Sequence, residues 1–339
     1  MSTKIYLDKE KFTEQQKVLL ENDNFTVTLF KYPSDVAAVK LQNSHGYLIV
    51  LPFEGLMIWD AVFDGTNLKM KTPFTQPKKG VQISDSYGAF QFHSGLLANG
   101  NPGPEDSHYP HGEFPVCDMD ASQLVISDEM ITIQSQKEYI KGFGDHYFAE
   151  PTVTMFKNQT WFDINMTVTN LSEVDDMPLQ YLVHLNYKFC QDAILKQNIP
   201  DSFFNLRLSV PDHIKPTKDW SEFTNHLVTN KKLVNDLSDP KHFNPEIVYF
   251  GDKLNKAVEN AEFSMKMDAG HQVKVLFNTQ EFPNVTRWIL CNPDMQVAAF
   301  ALPATCRTEG RLAAQKAGTL IWLKPQETRK FHVRTGLMS

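Results

Sequence analysis

Along much of the chain, apolar and polar residues alternate with a period of two. Phe162, Ile164, Met166 and Val168 interleave with Asp163, Asn165, Thr167 and Thr169, the pattern of a half-buried antiparallel strand. Shorter alternating runs span 24–29, 46–51, 130–134, 261–267, 272–277, 318–323 and 330–334, and each reads as a strand. Asp64-Gly65, between runs at 61–63 and 68–70, predicts a hairpin, as does Asp268-Ala269-Gly270 between two of the strands above. Helical periodicity is sparse: 10–21 and 221–237 are the two candidates, and both also read as irregular connectors. Many short strands without alternating helices argue against a parallel α/β sheet and predict an all-β sandwich. No internal repeat or linker divides residues 1–339, so one domain is expected, with residues 1–40 as an N-terminal extension contributing edge strands.

Composition narrows the class. A chain of 339 residues with 42% apolar side chains can bury a large core. The formal net charge of −7, without a block of like charges, gives no electrostatic footprint for nucleic acid or an anionic membrane. Cys117, Cys190, Cys291 and Cys306 form no C-x-x-C pair, which excludes a zinc ribbon or thioredoxin-type motif and fits reduced thiols in the cytoplasm. The first residues carry no apolar signal core, and no run reaches the length of a membrane span, so a soluble protein is expected. A P-loop, a dinucleotide-binding glycine fingerprint and a G-x-S-x-G elbow are all missing from the sequence, which argues against nucleotide-dependent and triad chemistry.

Candidate chemistry concentrates in 92–120. There His93, Glu105, Asp106, His108, His111 and Glu113 are held out of regular structure by Gly100, Pro102, Gly103, Pro104, Pro110 and Gly112. Loops of this kind on a rigid scaffold commonly carry binding and catalytic groups, although a solvated turn region has the same composition.

Three stretches in order, GYLIVLPFEGLMIWDAVFDG at 46–65, His111-Gly112, and MPLQYLVHLNYKF at 177–189, resemble the galactose mutarotase (aldose 1-epimerase) superfamily. The likeness continues in FPNVTRW at 282–288 and from ALPATCRTEG at 301–310 to Gly336, in the manner of a less characterised branch. The resemblance implies a β-supersandwich with a sugar site in a cleft on one sheet face. It also implies ring opening of a hemiacetal, in which a base takes the anomeric hydroxyl proton and an acid protonates the ring oxygen. By the same resemblance His184 is the ring-oxygen acid, and His111 is the second histidine, steadying charge on that oxygen.

One position departs from the family pattern. The glutamate expected directly before a proline is Leu302 in Ala301-Leu302-Pro303-Ala304-Thr305, and leucine cannot accept a proton. Glu113 is the favoured replacement, with Asp118, Asp120 and Glu309 as alternatives. His108, Asn99, Asn186, Arg287 and Trp288 are candidate substrate contacts: polar groups for vicinal hydroxyls, a guanidinium for an acidic sugar, an aromatic face for the C–H side of a pyranose. No cofactor is expected, while His108, His111 and Glu113 also allow a metal reading that the spacing does not favour. The expected partner is a small carbohydrate, with oligomeric state open. An aldose 1-epimerase-like isomerase is the favoured function. A sugar-binding protein that has lost the chemistry, which Leu302 motivates, and a metal-assisted sugar isomerase or epimerase stand as alternatives.

Overall fold

The computed structural model describes residues 2–209, 215–267 and 270–338. Its strands form two large antiparallel sheets. The nine-stranded sheet runs, neighbour to neighbour, Thr3–Leu7, Ala121–Ile126, Met130–Ile140, His146–Phe156, Trp161–Asn170, Thr328–Leu337, Gln272–Asn278, Asn260–Lys266 and Ile194–Gln197. The larger sheet runs Phe204–Leu206, Ile247–Gly251, Asn284–Cys291, Gln296–Ala304, Met177–Leu185, Gln91–Leu96, Met57–Phe63, Gly46–Leu51, Ala37–Gln42, Thr26–Lys31 and Lys17–Glu21. Two short strands, Thr66–Asn67 and Ile321–Leu323, attach to it. This is the all-β sandwich the alternating pattern predicts.

The sheets pack face to face through side chains of one parity on each strand. Phe162 stacks on Phe63 at 5.9 Å between ring centroids, Tyr181 meets Phe331 at 5.0 Å, and the Tyr187 hydroxyl contacts Thr335 Oγ1 at 2.6 Å. Residues of the opposite parity on Met177–Leu185 and Gln91–Leu96 point away from the second sheet. They are buried as well, because loops cover this outer face. A strand enclosed on both faces reads as a continuous apolar run, and MPLQYLVHL is such a run with Gln180 and His184 set into the outer face.

Local signals explain several element boundaries. Asp64 and Gly65 adopt φ of 46° and 73°, as a two-residue hairpin matching the sheet twist requires. Of the second expected hairpin, Asp268 and Ala269 lie outside the described residues, while its flanking strands pair with Lys266 opposite Gln272. The helix expected at 221–237 is Lys218–Asn230, capped by the Thr217 side chain and ended by Lys231 in the left-handed region. The 10–21 helix is corrected. A 3-10 turn at Lys9–Lys11 is followed by strand Lys17–Glu21, because the Asn22 side chain accepts from the amides of Asn24 and Phe25 and folds the chain back onto Thr26–Lys31. Helix Arg311–Lys316 carries no strong periodic signal in the sequence.

Candidate functional site

On the outer face of the larger sheet lies a cleft of about 580 Å³, lined among others by Tyr87, His111, His184, Arg207, Glu246, Trp288 and Leu302. His184 projects from Met177–Leu185 and stacks at 4.4 Å on Phe92, its cross-strand partner. The His111 ring stands edge-on to it, 5.0 Å away. Trp288 forms the opposite wall, 5.6 Å from His184 and 6.1 Å from Tyr87. The Tyr87 hydroxyl lies 3.2 Å from His184 Nε2.

His111 is presented by a tightly tied loop. Its carbonyl accepts from the Gly95 amide and its own amide donates to the Gly100 carbonyl, each at 2.9 Å. His111 and Gly112 both have positive φ, 63° and 81°, and a Cβ on Gly112 would stand 2.2 Å from the Ala98 carbonyl oxygen. Only glycine fits that close approach.

Burial keeps both cleft imidazoles neutral. The His111 pKa falls to about 4, through desolvation and then the neighbouring His108. The His184 pKa lies well below its ordinary value, through desolvation and then His111, with Asn186 opposing. Desolvation and the Glu246 charge push the Tyr87 phenol up.

Glu246 was not anticipated from the sequence. Among the described residues it is the only carboxylate lining the cleft. Its Oε2 accepts from Trp288 Nε1 at 2.5 Å and its Oε1 pairs with Arg207. The helix Lys218–Asn230 fixes its backbone: Trp220 Nε1 donates to the Glu246 carbonyl at 2.6 Å, and the cap Thr217 donates to the Asn244 carbonyl at 2.8 Å. The available signal was Pro245-Glu246 directly before the apolar run 247–250, a charged residue at a strand end.

Of the sequence candidates, the structure brings His111, His184 and Trp288 into the cleft and places the others elsewhere. Glu113 does not line it. Its carboxylate accepts from the amides of Leu96 and Leu97 and from the Tyr147 hydroxyl, so it anchors the loop from behind. Desolvation raises its pKa against those hydrogen bonds. Asp118 pairs with Lys9 at 2.6 Å, Asp120 with Lys137 at 2.8 Å, and Glu309 lies 3.8 Å from Arg307, all outside the cleft lining. His108 hydrogen-bonds the Tyr109 carbonyl through Nδ1. Asn99 and Asn186 are fully buried behind the two imidazoles: Asn99 meets Ser94, and Asn186 donates to the Ala89 carbonyl. His93 faces the second sheet, 2.7 Å from the Tyr181 hydroxyl. Among the described residues no three His, Cys, Asp or Glu side chains are arranged to hold a metal ion, and the Glu113 contacts account for its failure to join His108 and His111.

Arg287 is corrected most sharply. Strand alternation sends Thr286 and Trp288 to the cleft and Arg287 into the sandwich, where it is 1% exposed. It donates to the Phe300 and Val234 carbonyls, Asn235 Oδ1 and Gln197 Oε1. Burial lowers its pKa to about 10. Arg287→Met should destabilise the fold by about 3 kcal/mol or more, because four acceptors lose their donor in a dry interior. An unshifted urea midpoint would show that those acceptors find other donors. On the neighbouring strand, the register shift opposite Thr286–Trp288 restores Leu302 to the cleft face. Leu302 therefore lines the cleft beside Thr286.

The fold has clear structural relatives. An aldose 1-epimerase by provisional assignment from Klebsiella pneumoniae superposes with a TM-score of 0.81 at 12% identity, over 99% of this chain and 91% of that one. A galactose 1-epimerase from Lactobacillus acidophilus gives 0.56 at 12% identity, over 96% and 98%. A galactose mutarotase-like protein from Clostridium acetobutylicum gives 0.61 at 12% identity, over 94% and 100%. The chain thus has the galactose mutarotase-like fold. Residues 211–337 match the model of a domain family of unknown function, DUF4432, a span that holds Glu246, Trp288 and Leu302 but neither cleft histidine. No curated protein matches the sequence. No helix among the described residues is long and apolar enough to cross a membrane.

Proposed function

We propose that the cleft binds a carbohydrate and interconverts its anomers, or an epimeric pair, through the ring-opened form. The observation that carries this reading is the convergence of two neutral imidazoles, a phenol, an indole face and a carboxylate in one concave site on a fold shared with sugar epimerases. Fold alone does not assign function; the site chemistry adds the weight.

Ring opening breaks the bond between the anomeric carbon and the ring oxygen while the anomeric hydroxyl becomes a carbonyl. One proton leaves that hydroxyl and another reaches the ring oxygen. Glu246 is the acceptor: Arg207 and Trp288 fix its orientation and leave lone pairs free. It takes over the work that Leu302 cannot do. His184, whose Nε2 lies 3.2 Å from the Tyr87 hydroxyl, serves the ring oxygen: the protonated fraction of the ring gives that oxygen its proton and becomes neutral. Reclosure of the sugar ring returns the proton to the imidazole while Glu246 returns its own to the anomeric oxygen. Trp288 offers the apolar face against which a pyranose packs.

The test is magnetisation-exchange NMR on D-glucose, D-galactose and a panel of further aldoses with the purified full-length chain. Anomer exchange well above the buffer rate is expected for at least one sugar. Saturable binding of a sugar without exchange would favour the second reading, a binding protein, for which the apolar Leu302 in the cleft speaks. Neither binding nor exchange across the panel would remove the carbohydrate assignment.

A further inference from the structure

Two buried polar side chains, Ser94 and Asn99, lie behind the His111 ring. Ser94, fully buried on Gln91–Leu96, has its hydroxyl 2.6 Å from Asn99 Oδ1 and 2.9 Å from His111 Nδ1. The His111 carbonyl is a weaker neighbour at 3.3 Å. A serine hydroxyl has one proton to give. A 2.6 Å separation suits O–H···O contact and is short for N–H···O, which clusters near ~2.9 Å, so the amide oxygen of Asn99 faces the serine and takes that proton. The amide nitrogen then faces the Cys306 sulfur at 4.0 Å. With its proton committed to Asn99, Ser94 can meet Nδ1 only as an acceptor.

We infer that Ser94 and Asn99 hold neutral His111 as the Nδ1–H tautomer, so that Nε2 turns a lone pair into the cleft and accepts a hydrogen bond from a substrate hydroxyl. Neither residue lines the cleft, and both are positioning residues acting through the imidazole. The chain ends at Asn99, whose amide cannot take up a proton, so it orients and polarises the ring without relaying charge. This differs from the role the resemblance implies. An oxygen gaining negative charge needs a donor, and the Nε2 of this neutral tautomer has no proton to offer. The requirement passes to the sugar: at the position facing His111 it must carry a free hydroxyl, and a deoxy or O-methyl analogue there loses its partner. The hydroxyl contact rests on the cleft being the sugar site, whereas the tautomer does not.

Long-range proton–nitrogen NMR of the nitrogen-15-labelled full chain at pH 7 reads the tautomer without any ligand, with His111→Gln identifying the signals. In the wild type, Nδ1 should resonate in the protonated range and Nε2 in the unprotonated range. Ser94→Ala should release the bias and let the Nε2–H form predominate, and Ser94→Thr, which keeps the hydroxyl, should restore the wild-type pattern. An Nε2–H signature in the wild type overturns the inference. So does a Ser94→Ala spectrum identical to the wild type. Should Ser94→Ala fail to fold, the wild-type spectrum decides alone. A protein that converts no sugar yet shows the Nδ1–H signature would refute the proposed reaction and leave the tautomer standing.

Discussion

Glu246→Gln should lower sugar-converting turnover by about two to four orders of magnitude, the usual worth of a positioned proton acceptor. Glutamine keeps the volume and an oxygen for Trp288 Nε1 but removes the basicity and leaves Arg207 without its partner. The loss should therefore appear mainly in kcat, with a near-native circular dichroism spectrum. A second substitution gives the argument a positive arm. Leu302 lies on the same cleft wall, on the strand beside Thr286, so Leu302→Glu in the Glu246→Gln background returns a carboxylate to the site. Recovery should be partial, since a misplacement of about an ångström costs roughly a hundredfold in rate. Undiminished turnover in Glu246→Gln would take this residue out of the mechanism. A dead double variant would locate the proton acceptor's required position at 246 alone.

Acidification should destabilise the fold between pH 7 and 5, with buried imidazoles as the cause. His111 and His93 have pKa values lowered to about 4 and about 3, and His184 lies well below its ordinary value, in each case chiefly through desolvation. In the unfolded chain these rings take up protons near pH 6.5. Their depressed folded values mean that the stabilisation is fully present above that pH. It is lost as pH falls toward the folded pKa, by about 1.4 kcal/mol per pH unit for each ring. Glu54 acts in the opposite sense. Desolvation, then the Asp118 charge, raises its pKa to about 7, so its burial becomes less costly as it protonates over the same interval. Three rings against chiefly one carboxyl leave a net loss of about 2 to 4 kcal/mol on going from pH 7 to pH 5. Urea unfolding at the two pH values measures it. Equal stabilities would mean that the three rings are hydrated enough to titrate as free histidines do.

Much of the fold is written locally. The alternation in 162–169 and the Asp64-Gly65 turn need nothing beyond their own residues, because pleat and turn geometry impose period two and positive φ on whatever sequence fills them. The loop carrying His111 is similarly legible through its glycines and prolines, and the ordered stretches at 177–189 and 282–288 point to His184 and Trp288, which the structure brings together with His111. The helix expected at 10–21 fails for a reason outside its own window: Lys17–Glu21 finds a partner in Thr26–Lys31 through the Asn22 turn, and pairing overrides weak propensity.

What the chain cannot express locally is which face a residue takes and what distant group it meets. Arg287 and Trp288 are adjacent, yet one lies in the sandwich and the other in the cleft, and strand register alone decides between them. Leu302 reaches the cleft wall only because the register shifts opposite Thr286–Trp288. Glu113 is two residues from His111, but Tyr147 and the Leu96 and Leu97 amides turn its carboxylate to the back of the loop. Glu246 enters the site through Arg207 and Trp288, 39 and 42 residues away in sequence. Period and turn chemistry are properties of a few consecutive residues and survive in the sequence. A site assembled across strands depends on long-range pairing, so its membership is fixed only when the sheets close.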